Sequence, residues 1–185
     1  MTIRHLAKIA ECEGVPQLAR SVAPFVAVLS APLTTSNKSG PLFALGIRCN
    51  SDEVTAIDYL LPCAAQAPKS LLAKEVVRQI NAWFLDPAFV FGLPLAPAGT
   101  LFQRRVWAAI AAIPSGNTQS YGALATQIGS GPRAVGNACG ANPYPLVVPC
   151  HRVIAANQGL GGFARQRDGF LLEVKRWLLQ HEWHE

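Results

Sequence analysis

Cys150 and His151 stand side by side in PLVVPCHRVIA, residues 145–155. A thiol and an imidazole are the side chains from which a nucleophile and its base are built. The thiolate is the reactive form, and a base or a positive environment must bring an ordinary thiol, with a pKa of about 8.5, to it. A base works best when a third group orients it. Glu182, at the end of the last apolar-periodic segment, is the candidate for that group, provided its helix packs behind His151. Leu146, Val147 and Val148 form an apolar run of the kind that buries itself. Pro149 ends the run and restricts the backbone just before the cysteine. The arrangement delivers a thiol at the edge of a core, although neighbouring Cys and His side chains also occur by chance and often point apart.

The elements that must position this pair lie in the second half of the chain. Residues 100–113, TLFQRRVWAAIAAI, offer a Thr cap followed by apolar residues at Phe102, Val106, Trp107, Ile110 and Ile113, a helical spacing. Residues 120–128 read as a short helix, 129–131 (GSG) as a tight turn, and 132–141 as a second helix opened by Pro132 at its first position. Two short helices across a glycine turn match a helix-turn-helix, with Arg133 near the start of the second, the end that faces DNA in such motifs. Most such helix pairs bind nothing. This one leads straight to Cys150. GLGGF (159–163) reads as a hairpin or wing, and 171–182 as a closing amphipathic helix.

The first half reads differently. Residues 24–31, 42–49 and 54–61 are short β-rich runs separated by turn material, the pattern of an antiparallel meander. Residues 70–85 place Leu71, Leu72, Val76, Ile80 and Trp83 near helical spacing, and the Pro/Gly-containing stretch 86–99 reads as a connector. The expected fold is α/β (α+β) in two domains: 1–92, a three-stranded antiparallel sheet with a helix, and 93–185, a winged helix-turn-helix-like helical domain carrying the site.

Composition sets outer limits. Of 185 residues, 50% are hydrophobic and 15% charged, which argues against disorder. No apolar run approaches the roughly 20 residues of a membrane span. The N-terminus lacks a continuous signal-peptide core, so a cytoplasmic location is expected. The five cysteines, Cys12, Cys49, Cys63, Cys139 and Cys150, are odd in number and include no CxxC pair, which argues against a disulfide framework or compact zinc motif. Cys49, Cys63 and Cys139 read as core thiols; Cys12 and His5 lie near each other but form no recognisable metal motif. Residues 101–185 carry eight Lys/Arg against four Asp/Glu, most of the net charge of +5. A basic C-terminal half suits a polyanionic partner.

PCHRVI, preceded by RAVGNACGANPYPLVV and followed by GLGGF and KRWLLQHE, resembles the O6-alkylguanine-DNA alkyltransferases, or methylated-DNA–protein-cysteine methyltransferases. The resemblance runs from about Phe102 to Glu182; the N-terminal third is similar in architecture alone. It implies direct reversal of O6-alkylguanine damage in double-stranded DNA, with O4-alkylthymine as an open second substrate. The implied reaction is a single-turnover, self-inactivating transfer to a cysteine after base flipping, with no metal, small-molecule cofactor or membrane. By the same resemblance Cys150 would accept the alkyl group, His151 would serve as its base through a water, and Glu182 would polarise His151. Asn142 would hold the turn before the strand bearing Cys150, and Tyr121 would press on the target phosphate and donate to guanine N3. Arg133 would fill the hole left by the flipped nucleotide, with Ser120, Tyr121, Ala134 and Arg152 as further DNA contacts. Phe163, Val153 and Pro145 would line the pocket, and the Cys150 and Val153 carbonyls would read the exocyclic amine. Phe163 replaces the tyrosine usual in the family, the turn before Arg133 is shorter, and the segment after Phe163 is longer.

These roles agree with elementary chemistry. An O6-alkyl carbon is hidden in the duplex, so the base must leave the stack. Displacement at carbon suits a soft thiolate, and the product thioether is not hydrolysed. Two other readings compete: a DNA-binding relative that marks lesions, which lacks the acceptor cysteine, and a winged-helix regulator in which Cys150 senses redox state.

Overall fold

The computed structural model describes residues 24–32, 42–164 and 168–183. Cys12 and His5 fall outside them. The chain forms two compact units: one runs up to Phe84 and includes Leu93–Leu95, the other comprises Leu85–Gly92 and the chain from Ala96 onward. The Pro/Gly-containing connector is therefore shared between them. Its Leu93–Leu95 piece joins the first unit because the Val54 amide donates to the Pro94 carbonyl (2.8 Å).

In the first unit, β1 (Ala27–Ser30), β2 (Ala44–Cys49) and β3 (Val54–Leu60) form an antiparallel sheet in the order β1-β2-β3. Asn50 turns the chain between β2 and β3: its Oδ1 accepts from the Asp52 and Glu53 amides, the local bond that favours Asn in turns. Four consecutive residues of β2 are buried, so both faces of this strand are covered. Gly46 is needed there, since a Cβ would collide with the Phe25 ring. Helix α1 (Leu71–Leu85) buries Ala73, Val76, Ile80, Trp83 and Phe84. Leu71, expected on that face, is 83% exposed. It lies two residues, about 200° of helical rotation, from Ala73, which takes the buried place.

The second unit begins with α2 (Leu101–Ala111). Thr100 and Gln103 close a reciprocal capping box, with Thr100 Oγ1 accepting from the Gln103 amide and Gln103 Oε1 from the Thr100 amide. Val106, Trp107 and Ile110 are its buried face, and Trp107 Nε1 donates to the Ala138 carbonyl (2.9 Å). Strand β4 (Gln119–Ser120) runs into α3 (Tyr121–Gln127), which Ser120 caps through the Ala123 amide. Gly129, at φ +64°, makes the turn. Helix α4 (Pro132–Gly140) follows with Pro132 in its first turn. The helix-turn-helix is thus present, held from behind by α2.

The stretch up to Cys150 is not a strand. Leu146 sits at φ +72° although it is not glycine, and is only 2% exposed. Non-glycine residues in this region cost about 1–3 kcal/mol and persist only where their surroundings enforce them. Here the Val148 amide donates to the Tyr144 carbonyl and Tyr144 Oη to the Ala96 carbonyl. Residues 150–152 form a single 3-10 turn, and only then does β5 (Val153–Ile154) pair, in parallel, with β4. Helix α5 (Phe170–Trp183) closes the unit and buries Leu171, Val174, Lys175, Trp177, Leu178, Leu179 and Glu182. GLGGF, read as a hairpin or wing, runs outside the named strands beside Tyr121: a Cβ on Gly161, at φ +64°, would come within 3.0 Å of that ring.

Candidate active site

Cys150 is buried at the wall of a cavity of about 660 Å3 that is lined by Tyr121, Arg133, Cys139, Gly162 and Phe163, among others. That size falls within the roughly 300–1,000 Å3 of small-molecule pockets. Arg133, exposed in the first turn of α4, stands at its lip. Tyr121 enters from the first turn of α3 and donates its hydroxyl to the Gly162 carbonyl (2.9 Å). Burial pushes the phenol's pKa upward, so it is a neutral donor at physiological pH.

Asn142 organises the turn that presents the thiol. Its side-chain amide donates to the Val148 carbonyl (2.8 Å) and lies 3.5 Å from Cys150 Sγ, while its Oδ1 accepts from the Tyr144 amide. An amide donor aimed at the sulfur stabilises negative charge there.

Behind the cysteine, His151 Nε2 is 2.8 Å from Glu182 Oε1, and both side chains are about 1% exposed. Burial pushes the His151 pKa down against the pull of Glu182, keeping the ring neutral. Burial alone would raise Glu182, but hydrogen bonds from His151 and Arg152, together with the Arg152 charge, prevail and bring it down to about 2. An ionised carboxylate only accepts, so Nε2 carries the imidazole proton and Nδ1 carries the lone pair. Nδ1 is thereby the basic nitrogen.

Arg152, expected on the DNA face, is inside. Its Nε and Nη2 grip the Glu182 carboxylate at 2.8–3.2 Å and its Nη1 donates to the Ile113 carbonyl (2.6 Å). The reason is positional: one residue beyond a fully buried His151, the guanidinium must be paired, and Glu182 offers a two-pronged acceptor. Pro145 and Val153 also differ from expectation. Both are buried, but neither belongs to the cavity wall. The two carbonyls expected to face a base already have protein donors: Cys150 O accepts from the Val153 amide and Val153 O from Lys175 Nζ. Ser120 serves as the cap of α3, and Ala134 is half-buried on α4.

Lys175 is the residue sequence reasoning missed. Completely buried, it directs Nζ to the Val153 and Leu160 carbonyls (2.6 Å each) and to Gly162 O (3.3 Å). The ammonium lies 5.7 Å from both the Tyr121 and Phe163 ring centres. Burial lowers its pKa to about 8, opposed by the negative charge of a Cys150 thiolate. It straps GLGGF to β5 and so shapes one wall of the pocket. Its signal was spacing: Lys175 and Glu182 are seven residues apart, two helical turns, and fall on the same buried face as Leu171 and Leu178.

The family model of the 6-O-methylguanine DNA methyltransferase DNA-binding domain matches residues 101–184. A methylated-DNA–protein-cysteine methyltransferase from Methanosarcina acetivorans is 44% identical over 111 residues, spanning 59% of this chain and 68% of that one. One from Mycobacterium leprae is 42% identical over 120 residues, 64% of this chain and 70% of the relative. Among solved structures, Mycobacterium tuberculosis O6-methylguanine methyltransferase is similar with a TM-score of 0.65 at 34% identity, covering 84% of this chain and 93% of that one. A second, described as Mycobacterium tuberculosis OGT in complex with DNA, has a TM-score of 0.64 at 38% identity, over 76% and 86%. With that agreement over a helix-turn-helix, a buried Cys-His pair and its carboxylate, the chain belongs to the methylated-DNA–protein-cysteine methyltransferase family.

Proposed function

We propose that this chain reverses O6-alkylguanine damage in DNA by moving the alkyl group onto Cys150 Sγ. The observation that carries the reading is the placement of Cys150 on a cavity large enough to admit a base, whose lip is the first turn of α4, with the His151–Glu182 pair behind it. Helix α4 enters the duplex, Arg133 fills the space vacated by the target nucleotide, and the base turns into the cavity. Ser120, at the start of α3, and Ala134, in the first turn of α4, meet the backbone. The thiol proton passes to His151 Nδ1 through a bridging water, and Glu182 stabilises the imidazolium. Sulfur then attacks the alkyl carbon: the S–C bond forms as the C–O6 bond breaks. The electron pair leaves on guanine, where a proton or hydrogen bond must neutralise it. Tyr121 supplies that donor by releasing Gly162 and turning to the base.

The thioether has no leaving group for water to displace, so each protein molecule acts once. Phe163 contributes an apolar wall and no hydroxyl. Mixing the protein with duplex DNA bearing one O6-methylguanine, then mapping the modified peptide, tests this reading. One methyl per protein, on Cys150, is expected. A methyl on Cys139, or several repaired duplexes per protein, overturns it.

A further inference from the structure

The alkyl transfer makes no use of Cys139, yet this thiol lines the same cavity as Cys150. It is free, buried, and sits on α4 between Gly136 and Gly140, which also line the cavity. Asn142 ties the two cysteines together. Its backbone amide donates to the Cys139 carbonyl (3.2 Å), and its side-chain amide lies 3.5 Å from Cys150 Sγ. Cys49 and Cys63 belong to the other compact unit.

We propose that Cys139 is a resolving thiol, which closes a disulfide with Cys150 after a hydroperoxide has oxidised that residue. The proposal rests on the reading of Cys150 as a reactive thiolate. In the first step the Cys150 thiolate attacks the distal peroxide oxygen. The S–O bond forms, the O–O bond breaks, sulfur is oxidised to sulfenic acid, and the peroxide leaves as water or an alcohol after taking up a proton. In the second, Cys139 sulfur attacks Cys150 sulfur. The S–S bond forms, the S–O bond breaks, and the Cys139 proton leaves with the hydroxyl as water.

Cys139 takes no part in the first step. Burial, and then the nearby charge of Cys150, push its pKa up to about 12, so it remains a protonated thiol. It does not compete for alkyl groups or peroxide. Oxidation of Cys150 to a neutral sulfenic acid removes the second of those two causes, which eases ionisation of Cys139 for its attack, and presents an electrophilic sulfur in the same cavity. A protein that uses its nucleophile once gains from this. Sulfenic acid that meets no thiol goes on to sulfinic acid, which is irreversible, whereas a disulfide is reducible. While closed, the cross-link ties up the Cys150 sulfur that accepts the alkyl group.

The test is a titration of the reduced, full-length protein with hydrogen peroxide, followed by maleimide capping, digestion and peptide mapping. Methyl transfer is assayed before peroxide, after it, and after dithiothreitol. The parent is expected to lose two hydrogens, to yield a Cys139–Cys150 linked peptide, to lose transfer, and to regain most of it on reduction. Cys139→Ser is expected to carry sulfinic acid on Cys150 and to stay inactive after reduction. A parent that accumulates sulfinic acid as fast as Cys139→Ser, or links Cys150 to Cys49 or Cys63, overturns the proposal. Should Cys139→Ser fail to fold, the linked peptide in the parent decides alone. Failure of reduced parent to accept a methyl group overturns the repair reading; normal transfer without the cross-link overturns this proposal only.

Discussion

The two sides of Cys150 handle polar groups in opposite ways. Behind it, His151, Arg152 and Glu182 form a closed cluster in which a buried carboxylate meets a guanidinium and an imidazole, and Glu182 stays ionised. In front, Tyr121 and Cys139 face a cavity where burial favours their neutral forms, and Lys175 is held by carbonyls rather than by a carboxylate. Behind the cysteine charge is held in pairs; in front burial favours neutral Tyr121 and Cys139, and the Lys175 ammonium is held by carbonyl oxygens alone. A single-use nucleophile needs both: a fixed electrostatic backing to take its proton, and a front whose neutral groups do not react in its place.

Removing the nucleophile is the most severe way to break this contrast. Cys150→Ala should abolish methyl transfer altogether while leaving DNA binding, measured by gel shift or anisotropy, near the parent's. Residual transfer would place the acceptor elsewhere in the cavity.

Next in size is the cluster behind it. Glu182→Gln leaves the Arg152 guanidinium buried without its counter-charge, a change that costs about 3–5 kcal/mol. Urea unfolding should register most of that loss. A variant as stable as the parent would show that the cluster is hydrated and not closed.

His151→Ala sharpens the comparison further, because it removes the base while keeping Glu182 and Arg152 paired. A thiol left at its ordinary pKa of about 8.5 is only a few per cent thiolate at pH 7, so transfer should slow by roughly ten-fold or more. Raising the pH to about 9 should restore much of it. If the folded variant matches the parent at pH 7, the Cys150 surroundings alone activate it.

Arg133 tests the front. Arg133→Ala should slow reaction with duplex DNA but leave the rate with free O6-methylguanine base close to the parent's, since only the duplex must be opened. Equal slowing of both would mean that the side chain supports the cavity. A loss that vanishes at low salt would mark a phosphate contact.

The smallest effect is on stability against pH. Burial depresses the His151 pKa, so as pH falls through about 6.5 the unfolded chain gains a proton that the folded state refuses, and stability declines. Glu182, with its folded pKa lowered to about 2, contributes stability above its unfolded value that is lost as pH falls towards 2. The denaturant midpoint should fall between pH 7 and 5 in the parent and fall less in His151→Gln. An equal fall in both would assign the acid response to other groups.

The local elements were legible in the sequence because their signals are local. Thr100 announces a cap, the GSG stretch at 129–131 ends α3, and Pro132 opens α4. These depend on neighbours within one or two turns, as do the meander and the helical stripe of α1. Leu71 was misplaced because several periodic registers fit the same apolar run, and packing selects one.

By itself the sequence determined the chemistry available: a Cys-His pair after a proline, an asparagine eight residues upstream of the cysteine, and a glutamate on a closing helix. Tertiary structure decided which of those groups meet and in what state. Arg152 turns inward because Glu182 arrives from thirty residues away. Lys175 becomes a strap for β5 and Gly162 because α5 packs with that face inward. Cys139 shares a cavity with Cys150 because the turn pinned by Asn142 folds back on α4. Residue types set what a group can donate, accept or attack; burial and the partner that chain closure brings set its charge and direction, and neither can be read from nearest neighbours.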